Sequence, residues 1–175
     1  GQIITMTCPL IGNYGVNSDD VESEKPCARG FIVRENSRIY SNWRAESSLH
    51  AYLSKHGVCG ISGIDTRALV RHIRNAGAMR GIISSEDFDT ASLLRKVLAF
   101  PLMAGSDYVQ YVTTAKRFRR RVDCPSRHVV VYDYGVKANI LRQLQLLGCD
   151  LTIVPSSTSA EEVLALNPDG VFLSN

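Results

Sequence analysis

From His128 onward the sequence alternates, over short connections, between β-branched apolar runs and helical spacing. His128-Val129-Val130-Val131-Tyr132 is strand-length and almost continuously apolar, the pattern of a strand covered on both faces. Lys137 to Leu147 then has helical spacing and stops at Gly148, and Leu151-Thr152-Ile153-Val154 returns to strand. Ser159 to Leu166 reads as a helix with Glu162 in capping-box position, and Gly170-Val171-Phe172-Leu173 as a third strand. Parallel strands need crossover helices, so this β-α-β-α-β order specifies the opening of a parallel, doubly wound sheet. Three strands ending at Asn175 would leave an apolar edge and face uncovered, and the sequence is expected to be a piece of something longer.

The first hundred residues mix strand and helix signals. Gln2 to Thr7 is a β-rich run stopped by Pro9, Ile11 to Asn17 is a Gly- and Asn-containing loop, and Gly30 to Val33 is another short strand. Ser48 to Lys55 has helical spacing with Gly57 as its stop. A stronger helix follows Gly63, with Asp65 or Thr66 to cap it and Gly77 at its end. Leu69, Ile73 and Ala76 would form its buried stripe, leaving Arg67, Arg71 and Arg74 together on another face. Thr90 to Ala99 is a further helix, capped by Asp89 and closed by Pro101. Between 104 and 127 periodicity fades around the basic run Lys116 to Arg121, and this stretch reads as a linker. The expected division is therefore a first domain over 1–103, a hinge over 104–127 and a second domain over 128–175.

Composition narrows the function classes. Lys plus Arg exceed Asp plus Glu by 20 to 17, too mild a surplus to demand a polyanionic partner. The basic run carries one aromatic among five cations, without the stacking platforms that nucleic-acid binding uses, and reads as a solvated or partner-facing segment. Apolar runs are strand-length, far short of the roughly 20 residues a bilayer requires, so no membrane partner is expected. Five cysteines without a C-x-x-C pair fit neither a disulfide scaffold nor a zinc site and point to a reducing compartment, the cytoplasm. The four histidines lie apart without metal spacing.

In open α/β sheets ligands bind beyond the carboxyl ends of the strands. The loops Asp133 to Lys137 and Pro155 to Thr158, with Ser174-Asn175, therefore mark the functional edge. A dinucleotide fingerprint is missing there, since the first loop offers only Gly135 and Pro155-Ser156 stands where an acidic residue belongs. No P-loop pattern occurs. Gly57-Val58-Cys59-Gly60 approaches a nucleophile elbow, but Ile61 occupies the position of the second glycine, and Cys59, like Cys149, reads as packing.

Four blocks, in order, carry a resemblance to a known family. They are Gln2 to Thr7 with Pro9-Leu10-Ile11-Gly12-Asn13-Tyr14-Gly15; Gly63-Ile64-Asp65-Thr66-Arg67 continuing to Gly77; Val131-Tyr132-Asp133-Tyr134-Gly135-Val136-Lys137-Ala138-Asn139-Ile140; and Asn167-Pro168-Asp169-Gly170-Val171-Phe172-Leu173-Ser174-Asn175. Together they resemble the small, glutaminase subunit of glutamine-dependent carbamoyl-phosphate synthetase along nearly the whole chain. The resemblance implies an N-terminal β/β/α domain, then the first part of a class I amidotransferase domain of flavodoxin-like topology. It implies a cysteine thiolate that attacks glutamine with help from a histidine and a glutamate. Ammonia then passes to a large subunit, which makes carbamoyl phosphate from bicarbonate and MgATP for arginine and pyrimidine synthesis.

The family also has a stretch before the position of Gly1, with a serine that helps hold glutamine. After the Ser-Asn pair it has a G-P-G-D-P loop, a G-x-C-x-G elbow, and the His and Glu. None of these is in the sequence, so no catalytic residue is assigned and this stretch alone is expected to be inactive. Lys137 and Asn175 are the matched positions nearest the site. Lys137 reads either as a cation holding the site's edge or as an ordinary solvent-facing lysine, and Asn175 as an amide orienting the following loop. Arg67, Arg71 and Arg74 read as a wet helix face or as a surface docking on the large subunit. No cofactor is expected on this chain, MgATP being the partner's. The competing reading is a noncatalytic α/β module that docks on a large subunit; a stand-alone nucleotide-binding protein is disfavoured by the missing phosphate loop.

Overall fold

The first hundred residues contain five short strands, β1 (Ile3–Thr5), β2 (Leu10–Ile11), β3 (Gly30–Ile32), β4 (Glu35–Asn36) and β5 (Cys59–Ile61). A computed structural model describes residues 1–174, and the chain separates into two compact units, 1–106 and 107–175. In the first, β1, β3 and β5 form a parallel sheet in that order, and β2 pairs in parallel with β4. The second of these ladders ends at Ile11, the first residue of the stretch read as loop. Gly30 lies where β3 meets its neighbours: a Cβ there would fall 2.8 Å from Ile83 Cδ1, so a side chain would require Ile83 to shift.

Three helices complete this unit. In α1 (Leu49–Lys55) the Ser48 hydroxyl accepts from the Ala51 N–H at 3.1 Å, and in α2 (Thr66–Ala76) the Asp65 carboxylate accepts from the Ala68 N–H at 3.0 Å. Each satisfies an N–H that the first turn leaves without a partner. Gly77 ends α2 with φ +87°, a conformation that disfavours a Cβ. The inward stripe of α2 differs from expectation: Thr66 is buried, Leu69, Val70 and Ile73 are half-buried, and Ala76 is exposed. Asp89 caps α3 (Thr90–Ala99), accepting from the N–H groups of Ala91 and Ser92.

The second unit holds β6 (Phe118–Arg120), β7 (Arg127–Asp133), α4 (Ala138–Leu146), β8 (Cys149–Pro155), α5 (Ala160–Leu164) and β9 (Gly170–Leu173). Its strands lie in the order β6-β8-β7-β9. β7 is parallel to both β8 and β9, as the sequence pattern predicts, while β6 runs antiparallel on the outer side of β8. Phe118 to Arg120 is thus an edge strand of the sheet and not part of an unstructured linker. Side chains alternate between faces with the period of two that a strand imposes. Val131, Leu151 and Ile153 pack with Leu141 of α4, and Val130 and Val154 pack with Val163 of α5. The two helices therefore cover opposite faces. Ser159 and Glu162 form the expected capping box at the start of α5.

Candidate functional site

Because β7, β8 and β9 are parallel, their carboxyl ends reach the same edge of the second unit. A hydrogen-bonded knot ties that edge together. One oxygen of the Asp133 carboxylate, Oδ1, accepts from the N–H groups of Gly135 at 2.9 Å and Val136 at 2.8 Å, bending the chain between β7 and α4. Its other oxygen, Oδ2, accepts from the Thr114 N–H at 2.7 Å. The Ser156 N–H, just past β8, donates to Thr113 Oγ1 at 2.9 Å, and the Tyr134 N–H donates to Ser174 Oγ at 2.9 Å. Asp133 and Ser174 are both buried, so these bonds are shielded from water.

Gly135 makes close packing of this knot possible. It has φ +108°, and a Cβ on it would lie 3.2 Å from Val112 Cγ2. Beside the edge, Tyr132 and Tyr134 stack with their centroids 6.0 Å apart and planes 5° from parallel, and the Tyr132 hydroxyl donates to the Thr158 carbonyl at 3.1 Å. A cleft of about 570 Å³ adjoins the end of β8, lined by Lys116, Arg117, Val154, Pro155 and Glu162 among others.

Lys137 is exposed and occupies the N-cap of α4, with no side-chain capping bond, one residue after Val136. A cation there opposes the positive end of the helix dipole, and α4 has no acidic residue in its first turn to offset it. Helix stability therefore gives no reason for a lysine at this position. Asn175 lies outside the described residues. Arg67, Arg71 and Arg74 are exposed on α2 in the first unit, at the i, i+4, i+7 spacing that places them on one face. They belong to a different unit from Lys137.

Within the second unit, Cys149 stands at the amino end of β8, opposite the carboxyl edge. Cys59 starts β5 and Cys149 starts β8, both half-buried, and Cys8, Cys27 and Cys124 are exposed. His128, on β7, is bound through Nε2 to Thr152 Oγ1 at 2.9 Å. Among the described residues no three His, Cys, Asp or Glu side chains gather as metal ligands would, and no helix is long and apolar enough to cross a membrane.

The knot itself was not anticipated in the sequence. Asp133 opens the loop predicted after the strand His128 to Tyr132, and an aspartate followed by glycine two residues on is a turn signal. That signal locates its bonds to Gly135 and Val136. Nothing local in the sequence places Thr113 and Thr114 over the strand ends.

Comparison with known proteins finds two family matches on the chain. Residues 1–83 match the family described as carbamoyl-phosphate synthase small chain, CPSase domain, and residues 130–175 match glutamine amidotransferase class-I. Proteins named carbamoyl phosphate synthase small chain are similar over all of this chain. That of Syntrophotalea carbinolica is 50% identical and that of Chlorobaculum tepidum 53%, with 50% and 48% of those proteins covered. That of Listeria monocytogenes is 48% identical, with 47% covered. The chain thus spans about half the length of the curated relatives it matches. With both domain types in order on one polypeptide and about half of its residues identical to these proteins, the chain belongs to the carbamoyl phosphate synthase small chain family.

Proposed function

We propose that the complete protein releases ammonia from glutamine and delivers it to a large subunit, which forms carbamoyl phosphate from bicarbonate and MgATP for arginine and pyrimidine biosynthesis in the cytoplasm. The observation that carries this reading is the succession of the two family matches on one chain, 1–83 and then 130–175. On this reading the first unit is the family's β/β/α domain, and β7-α4-β8-α5-β9 opens a flavodoxin-like amidotransferase sheet. The parallel strands and the helices on opposite faces support the second assignment.

The residues present fit a supporting role and not the covalent chemistry. Amide hydrolysis by a thiolate needs a cysteine at a sharp strand-to-helix turn, a nearby histidine and donors aimed at the oxyanion. What the carboxyl edge offers is a fixed rim: the Asp133 knot and Lys137, one cation able to face an anionic substrate group. On this reading MgATP is used by the large partner, not by this chain.

The test is to produce the complete small chain with its large partner and follow carbamoyl phosphate formed from glutamine and, separately, from ammonium. Synthesis from both, with the glutamine reaction lost when the small chain is left out, is expected. A complex that assembles but uses only ammonium would instead favour a noncatalytic docking module.

A further inference from the structure

We propose that Asp133 is a positioning residue for glutamine use, acting through the loop that carries Lys137. The inference rests on the glutamine-hydrolysing reading above and goes beyond it by assigning a role to a residue that never needs to touch the substrate. Asp133 is 7% exposed, and the two oxygens of its carboxylate do different work. Oδ1 takes the N–H groups of Gly135 and Val136, which fixes the backbone direction immediately before Lys137. Oδ2 takes the N–H of Thr114 and so holds the segment over residues 112–114 against the ends of β7 and β8. That segment has two further anchors, Thr113 Oγ1 on the Ser156 N–H and the Val112 side chain against Gly135.

The physical consequence follows from what each bond leaves behind. An exposed lysine on a helix N-cap has many rotamers, and the direction of its stem is set by the backbone that precedes it. Here that backbone is held on one side by the Asp133 carboxylate and on the other by Ser174 Oγ on the Tyr134 N–H. Both anchors are buried, so the loop does not exchange them cheaply for water. A displacement of about 1 Å at a substrate-positioning group is enough to cost a large factor in rate. Asp133 is thereby placed to govern where Lys137 can reach without itself entering the site.

Asp133→Asn isolates the effect. Its amide oxygen can still accept from Gly135 and Val136, but its amide nitrogen then faces the Thr114 N–H, donor against donor. Thr113→Val removes a different anchor of the same segment and keeps the shape of the side chain. Both are made in the complete small chain bound to its large partner, with Lys137→Met and the Asp133→Asn/Lys137→Met double variant. Expected is a rise in KM for glutamine of about tenfold for Asp133→Asn and a smaller rise for Thr113→Val, with ammonium-dependent synthesis unchanged. The double variant should be no more than about twofold worse than Lys137→Met alone, because the two changes act through one group.

An unchanged KM for glutamine, a parallel fall of both activities, or full additivity in the double variant would each overturn the proposal while leaving the function standing. If the unaltered complex itself makes no carbamoyl phosphate from glutamine, the functional reading fails and this proposal falls with it.

Discussion

The Tyr134 N–H donates to Ser174 Oγ at 2.9 Å across 40 residues of sequence, joining the loop after β7 to the end of β9. Ser174 is only 8% exposed, and its own N–H donates to the Tyr132 carbonyl, so β7 and β9 stay zipped past the last strand pair. Replacing this serine by alanine would leave the Tyr134 N–H without its acceptor in a shielded place. Ser174→Ala should therefore lower the stability of the complete chain by about 1–3 kcal/mol in urea unfolding. Ser174→Thr, which keeps the hydroxyl, should lose less, and equal losses in the two variants would assign the effect to packing alone.

Lys137→Met should lower glutamine-dependent synthesis several-fold in the complete complex while ammonium-dependent synthesis stays nearly intact. The argument is positional: an exposed cation at the carboxyl edge, on a helix N-cap where it opposes the dipole, is not there for the helix. Kinetics with the two nitrogen sources decide it. A fall in both would make the lysine structural or part of the subunit contact.

Arg67, Arg71 and Arg74 present three positive charges from one exposed face of α2. If that face docks on the large subunit, reversing Arg67 and Arg71 to glutamate should weaken association several-fold, and more at low salt than at high. Titration of the complex at two ionic strengths checks this. Affinity that stays the same at both would leave the three arginines as a solvated helix face.

Much of the fold was legible because local signals and burial agree. The Asp65 and Asp89 caps, Gly77 and the Ser159–Glu162 box are short-range chemistry, and all four act where the sequence places them. The continuous apolar run after His128 marks a strand buried on both faces, and β7 is one of the two internal strands of the second unit. The first unit was harder to read, since its buried side chains are few, Val33, Val58 and Thr66, and short strands give little periodicity. β6 was missed for a physical reason. Its residues Phe118-Arg119-Arg120 belong to a cationic run that looks solvated, yet charge on an edge strand is how a sheet avoids pairing with another copy. Asp133 stands in the block Val131 to Ile140, but its bond to Thr114 joins segments 19 residues apart and has no local signature.

Asp87 makes the acid stability of the first unit testable. Its carboxylate is held down to about 2, from an ordinary 3.8, by hydrogen bonds from Lys96 Nζ at 2.5 Å and Ser92 Oγ at 2.7 Å and from the Asp89 N–H. A carboxylate with a depressed folded value contributes stability that is complete above its unfolded value and lost as pH falls through the folded one. The contribution should therefore disappear between about pH 4 and pH 2. Asp87→Asn should flatten the pH dependence of unfolding in that window, and little difference from the unaltered protein there would show that solvent screens the Lys96 pair.

The 175 residues described by this sequence, assayed alone, should hydrolyse no glutamine and form no glutamyl thioester. Cys149 and His128 lie near one another on adjacent strands, where Arg127 pairs with Cys149 and His128 with Asp150. The pleat separates them: Cys149 packs with Val131 and Leu151 on the face covered by α4, whereas His128 turns to Thr152 on the other face. Both also lie at the amino end of the parallel strands, opposite the edge where ligands bind. Cys59 sits within a short strand of the other unit, and Cys8, Cys27 and Cys124 are exposed outside any strand-to-helix turn. A thiolate needs such a turn, or a neighbouring cation, to become a nucleophile at neutral pH. Incubation with a glutamine-directed electrophile followed by intact-mass measurement gives the answer. Stoichiometric labelling of any of the five cysteines, suppressed by free glutamine, would show that these residues carry a reactive site of their own.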